Sequence, residues 1–160
     1  MPSPTTYGWA EQIANDVINQ MSSWTFAIDY NVAFKRLYVS ELDDQALALT
    51  SSSQMQVTIT TIETERKHCG WGAQNLDITL GFVCQISVSK TLTDTEIAPL
   101  EQFVDNLCDF LSGPRLFASG LWTVTGVKAV YGDHLMNMIR EKGQFHLPIL
   151  VTFTSYMSVN

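Results

Sequence analysis

Basic side chains are scarce in this chain. Nine Lys and Arg stand against sixteen Asp and Glu in 160 residues, a net charge of −7. A nucleic-acid reader normally shows a basic footprint, and an anionic membrane surface also attracts basic residues, so both classes are disfavoured. Long apolar runs are missing as well. The greasiest stretch, Leu76 to Val88, is interrupted by Asp77, Thr79, Gln85 and Ser87, and nothing approaches the roughly 18 apolar residues of a membrane helix. The opening residues, Met1-Pro2-Ser3-Pro4-Thr5-Thr6, lack the basic and apolar regions of a signal peptide. Cysteine is limited to Cys69, Cys84 and Cys108, an odd and widely spaced set that argues against a disulfide scaffold and for a reducing compartment.

What is present is an ordinary globular apolar fraction, 46%, in a length suited to one domain. Residues 1–8 read as a flexible arm and 9–157 as the folded unit. Trp9, Ile13, Val17 and Met21 recur every four residues, which predicts a helix ended by Ser22-Ser23. Alternation at Tyr30, Val32, Phe34 and Tyr38, broken by Arg36, predicts a strand near 31–39. A loop follows at 40–53, with Glu41, Asp43 and Asp44. A second strand is expected over about 55–63, and then a polar hairpin tip from Glu63 to Gly72.

Leu76, Ile78, Leu80, Phe82, Cys84, Ile86 and Val88 give the cleanest alternation. A strand of that length spans roughly 45 Å, so it either bends, with Gly81 as the hinge, or projects past the domain body. A second helix starts at a Thr93/Glu96 capping box or later at Pro99. It carries an apolar stripe from Ile97 to Leu111 and stops at Ser112-Gly113-Pro114. A strand at 121–131, a polar connector from Gly132 to Gly143 with a hint of helix, and a strand from Gln144 to Tyr156 complete the order. Pro148 inside that last strand predicts an edge position or a bulge. The expected class is α+β: a two-layer sandwich, a mostly antiparallel sheet of about five strands with two helices on one face.

No metal-ligand spacing joins His68, Cys69, His134 and His146, and no nucleophile signature surrounds any Ser or Cys. Gly132-Asp133-His134 reads as a turn ending a strand. The expectation is no enzyme, no metal and no cofactor. Three surface features remain. Asp94, Glu101, Asp105 and Asp109 share one side of a helix that has no Lys or Arg, either an ordinary solvated face or an acidic surface toward a basic partner or passing DNA. Arg66, Lys67 and Trp71 mark the hairpin tip, where Trp71 is either a turn residue or a docking anchor. Thr58, Thr60, Thr79, Gln85, Ser87 and Ser89 form a neutral sheet parity, open to solvent or buried against another subunit.

The element order over 9–157 resembles the tail-terminator and head–tail joining (neck) proteins of long-tailed bacteriophages. The matching parts are an N-terminal amphipathic helix, a strand with Phe34-Lys35-Arg36-Leu37-Tyr38, and a Leu/Asp loop at 41–49. A strand pair joined by a tip at 63–75 follows, then a helix like Ile97–Leu111, and a last strand with Phe145 and Val151-Thr152-Phe153. Pro148 and the loop at 40–54 depart from the pattern. The resemblance implies a virion structural subunit, assembled in the host cytoplasm, whose hexameric ring caps the tail tube and stops its growth. Its partners would be copies of itself, the tail tube protein and head-completion or connector proteins, with DNA as passing cargo and no membrane. The acidic balance suits a conduit wall that does not hold DNA. Rival readings are a head-completion or minor tail protein of the same virion and, in another class, a small cytoplasmic α+β enzyme or ligand-binding domain.

Overall fold

The computed structural model describes residues 8–25, 31–36, 54–113, 116–118 and 120–158. The order is α1 (Trp9–Ser22), β1 (Ala33–Arg36), β2 (Gln56–Gly70), β3 (Ala73–Ser87), α2 (Asp94–Ser112), β4 (Leu116–Phe117), β5 (Trp122–Ala129), α3 (Asp133–Lys142) and β6 (Gln144–Ser158). One sheet runs β1-β2-β3-β6-β5-β4, with β1 parallel to β2 and every other pair antiparallel. Residues 1–7 of the arm predicted at 1–8, Leu37, Tyr38, the acidic loop at 40–53 and Pro114 lie outside the described residues.

The alternation of β3 decides the layers. Leu76, Ile78, Leu80, Phe82 and Cys84 are buried on one parity. Their register partners on β6, from Phe153 to Leu147, and Ile59 and Val57 on β2 lie on the same side. Helices α1 and α2 lay Ile13, Val17 and Met21, and Phe103, Val104 and Leu107, into that one core. Leu135 and Ile139 of α3 join it. The fold is the expected α+β sandwich, with three helices in place of two. Truncating a core ring such as Phe82 to Ala would cost about 3–5 kcal/mol.

Local chemistry sets the helix ends. The Ser22 and Ser23 hydroxyls donate to the Ile18 and Gln20 carbonyls at 2.7 and 3.1 Å, local side-chain bonds that compete with continuing the helix. At α2 the capping-box start holds: the Thr93 backbone N–H donates to the Glu96 carboxylate at 2.8 Å, and Pro99 falls inside the helix.

Three expectations are corrected. The Gly132–Gly143 connector is a ten-residue helix, α3, with Asp133 in its first turn and Arg140 and Lys142 in its last. Gly143 closes it at φ +63°, its N–H donating to Ile139 O at 3.0 Å. A Cβ there would also stand 3.0 Å from Val88 O. The polar tip expected from Glu63 is strand as far as Gly70, and the turn is only Trp71-Gly72. Pro148 sits in neither an edge strand nor a bulge, because β6 lies between β3 and β5 in regular register with β3. Its backbone faces the β5 side, where the carbonyl accepts from Val130 N–H at 2.9 Å. The β5 ladder ends one position earlier, at Ala129–Ile149, so the missing Pro N–H falls where pairing stops.

Strand β3 does not project as a free ribbon: its core parity is buried from Leu76 to Cys84, and only Ala73–Asn75 lie beyond it. Strand β3 runs 15 residues through Gly81, and the irregularity lies opposite, at Ile62 of β2. Gly81 is small because Ile62 lies over it; a Cβ there would stand 3.1 Å from Ile62 Cδ1. Beyond Thr61 every β2 residue to Gly70 is exposed. Strand β6 stays paired to β3 as far as Ser158, so only the last few residues of the hairpin lie beyond the core.

Candidate interaction surfaces

The β2–β3 hairpin ends in a turn of unusual composition. Trp71 and Gly72 have φ of +46° and +74°, the mirror-image geometry that suits a two-residue hairpin. Asn and Gly adopt it readily, whereas a bulky aromatic there is strained. Trp71 is nonetheless fully exposed. It thus combines backbone strain with an unburied apolar ring, a combination that marks function more often than stability. Arg66 and Lys67 lie on the adjoining strand, both exposed. By register Arg66 shares a face with Leu76 and Lys67 with Asn75 and Tyr156. Lys67 Nζ stands 3.7 Å from the Glu65 carboxylate, an exposed pair of little energetic weight. The charged run Glu63, Glu65, Arg66, Lys67 also blunts an edge strand that would otherwise recruit strands at random.

Helix α2 presents the second surface. Asp94, Glu101, Asp105 and Asp109 are all exposed, opposite the buried stripe of Phe103, Val104, Leu107 and Leu111. No basic residue stands in the last turn to offset Asp109 at the negative end of the helix. The field of these carboxylates is felt nearby. Burial and then Asp105 and Asp109 push the Cys108 thiol up to about 11. Burial, Asp105 and Glu101 raise the Tyr131 hydroxyl, which places Tyr131, at the end of β5, beside the acidic face. Tyr131 is itself exposed there.

The third predicted surface is corrected. Thr58, Thr60, Thr79 and Gln85 are 3%, 3%, 9% and 1% exposed within a single chain, which leaves them no area for a partner, while Ser87 is half-buried and Ser89 exposed. Thr58, Gln85 and Thr79 are tied internally. Thr58 Oγ1 donates to Gln85 Oε1 at 3.4 Å, and Thr79 and Thr152 hydroxyls meet at 3.3 Å. Threonines pair well across strands, and that accounts for the neutral composition.

Outside these surfaces, burial raises the Cys84 thiol, and Cys108 adds to the effect, an environment that favours the unreactive thiol over the thiolate. His68 and Cys69 are exposed on successive positions of β2. Asp133 and His134 begin α3, and do not end a strand. His134 instead meets His146 edge-on, ring centroids 5.2 Å apart, a pairing the sequence did not suggest. Among the described residues, no group of three His, Cys, Asp or Glu converges to hold a metal ion. Among them, too, no helix is long and apolar enough to cross a membrane. Neither a family model nor a curated protein matches the sequence.

Proposed function

We propose that this protein is a structural subunit of a bacteriophage virion, of the tail-terminator or neck type. Copies of it form a ring that caps the tail tube and joins it to the head. The observation that carries the reading is Trp71, strained and fully exposed at the end of the β2–β3 hairpin, whose strands each run 15 residues. The outer half of β2, from Ile62 to Gly70, is exposed, and an apolar ring at its end gains by meeting another surface. The one-signed α2 face supports the same reading. A wall of carboxylates lets a DNA duplex pass, where Lys and Arg would hold it. The chain acts by assembly and position, not by catalysis, so it takes no cofactor.

The test is location. Gold-labelled antibody against the chain, applied to virions that carry it, is expected to mark the junction of head and tail. Label along the tail or at its tip would move the protein to the minor tail components. Virions without label would contradict a structural role.

A further inference from the structure

Strand β2 loses its outer neighbour partway along its length. Among the described residues, β1 pairs with it only from Gln56 to Ile59, and Arg36 ends that contact by donating to the Ile59 carbonyl. From Glu63 to Gly70, β2 pairs with β3 on one side, and every residue is exposed. Alternate backbone N–H and C=O groups of such an edge point outward and can take a further strand. The pairing with β3 is regular from Glu63 to His68, which fixes the faces. Glu63, Glu65 and Lys67 stand opposite Thr79, Asp77 and Asn75, on the face away from the helices. Thr64, Arg66 and His68 stand opposite Ile78, Leu76 and Gln74, on the helix side.

We propose that this edge of β2 pairs antiparallel with the same edge of a second copy, about a two-fold axis at Glu65. A two-fold perpendicular to the sheet keeps the helix sides of both copies together, so residues that meet share a face. Charge selects the register. With the axis at Glu65, each Glu63 meets the other copy's Lys67, and each Thr64 meets its Arg66. The one like pair, Glu65 with Glu65, is offset by Lys67, which stands 3.7 Å from Glu65 in each chain. An axis at Arg66 would set two guanidinium groups together on a face where the hairpin offers only Thr64, His68, Gln74, Leu76 and Ile78. An axis at Thr64 would oppose Glu63 and Glu65 twice. The charged run thus repels most strands and accepts its own. The contact goes beyond the ring reading and does not depend on it, because a two-fold joins copies in pairs and closes no ring.

Charge exchange and cross-linking test it on the full-length protein. Sedimentation reads the pairing affinity. Lys67→Glu and Glu63→Lys each set like charges together and are expected to weaken pairing roughly tenfold or more, whereas the double variant E63K/K67E restores it. These side chains are exposed, and the melting transition of each variant checks that the subunit folds. In a Cys69→Ser background, Glu65→Cys places two thiols at the axis, and oxidised glutathione is expected to join them into a covalent dimer. Arg66→Cys, offset from the axis, should cross-link far more slowly. Equal cross-linking at both positions, or none at Glu65, would overturn the pairing. So would an affinity that the charge variants leave unchanged. Rings that form without the Glu65 cross-link would remove this contact and leave the ring reading standing. A wild type that stays monomeric overturns the pairing alone, since rings can still form on the ends of tail tubes.

Discussion

The Arg36 guanidinium lies 3.1 Å from the Glu11 carboxylate and joins α1 to the edge of the sheet. Its other donors reach the Ile59 carbonyl at 3.0 Å and the Thr61 hydroxyl at 2.8 Å, both on β2. One side chain thereby ties α1, β1 and β2 together. Both side chains are less than a fifth exposed, so removing one leaves the other's charge poorly solvated. Arg36→Ala is expected to lower stability by about 2 kcal/mol, and Glu11→Gln by about 1 kcal/mol, in urea denaturation. Unchanged midpoints for both would show the junction to be incidental.

Arg36 also shows what pattern alone misses. In the sequence it interrupts an otherwise apolar parity and weakens the strand reading. In the structure it keeps to that parity and neutralises its charge against a residue 25 positions away. Alternation made β3, β5 and β6 legible, and four-residue spacing made α1 and α2 legible, because each buries a full stripe. Helix α3 was hidden because it buries only Leu135, Met138 and Ile139. Its signals were there in Asp133 at the start, Arg140 and Lys142 near the end, and a glycine on either side. Pro148 misled because a proline is harmless in an interior strand when its missing N–H faces the end of a ladder, and position in a sheet is not written locally. The acidic face and Trp71 were legible as residues.

The Thr60 hydroxyl is buried without a hydrogen-bond partner. Valine keeps the shape and strand preference while removing the unpaired group. Thr60→Val is expected to raise stability by about 1 kcal/mol, read from the same urea midpoint. A loss would mean that the hydroxyl is satisfied in solution.

Acid should weaken the α3–β6 contact. The His146 imidazole is pushed below its ordinary 6.5, first by burial and then by His134, with Lys142 adding to both. The unfolded chain therefore takes up a proton near pH 6.5 that the folded chain refuses until lower pH. Above pH 6.5 both states are neutral and nothing is lost; as pH falls from 6.5 toward the depressed folded value, stability declines. Melting temperature between pH 7.5 and 5.0 should fall in the wild type and fall less in His146→Gln. Parallel curves would contradict this.

Trp71 is predicted to oppose stability. Replacing it with Asn, which accepts φ above zero, relieves the turn. Trp71→Asn is expected to melt about 2–4 °C higher and to assemble poorly. A variant that melts lower would show the ring to be part of the subunit's own packing.

The central claim is that copies of this chain close into a ring. The most direct measurement is mass by light scattering on the purified full-length protein over a hundredfold range of concentration, with negative-stain images of the same samples. The account predicts closed rings of about six copies with an open centre, forming alone or on the end of tail tubes. A single monomeric mass at every concentration, with no ring in the images even beside tail tubes, would contradict it.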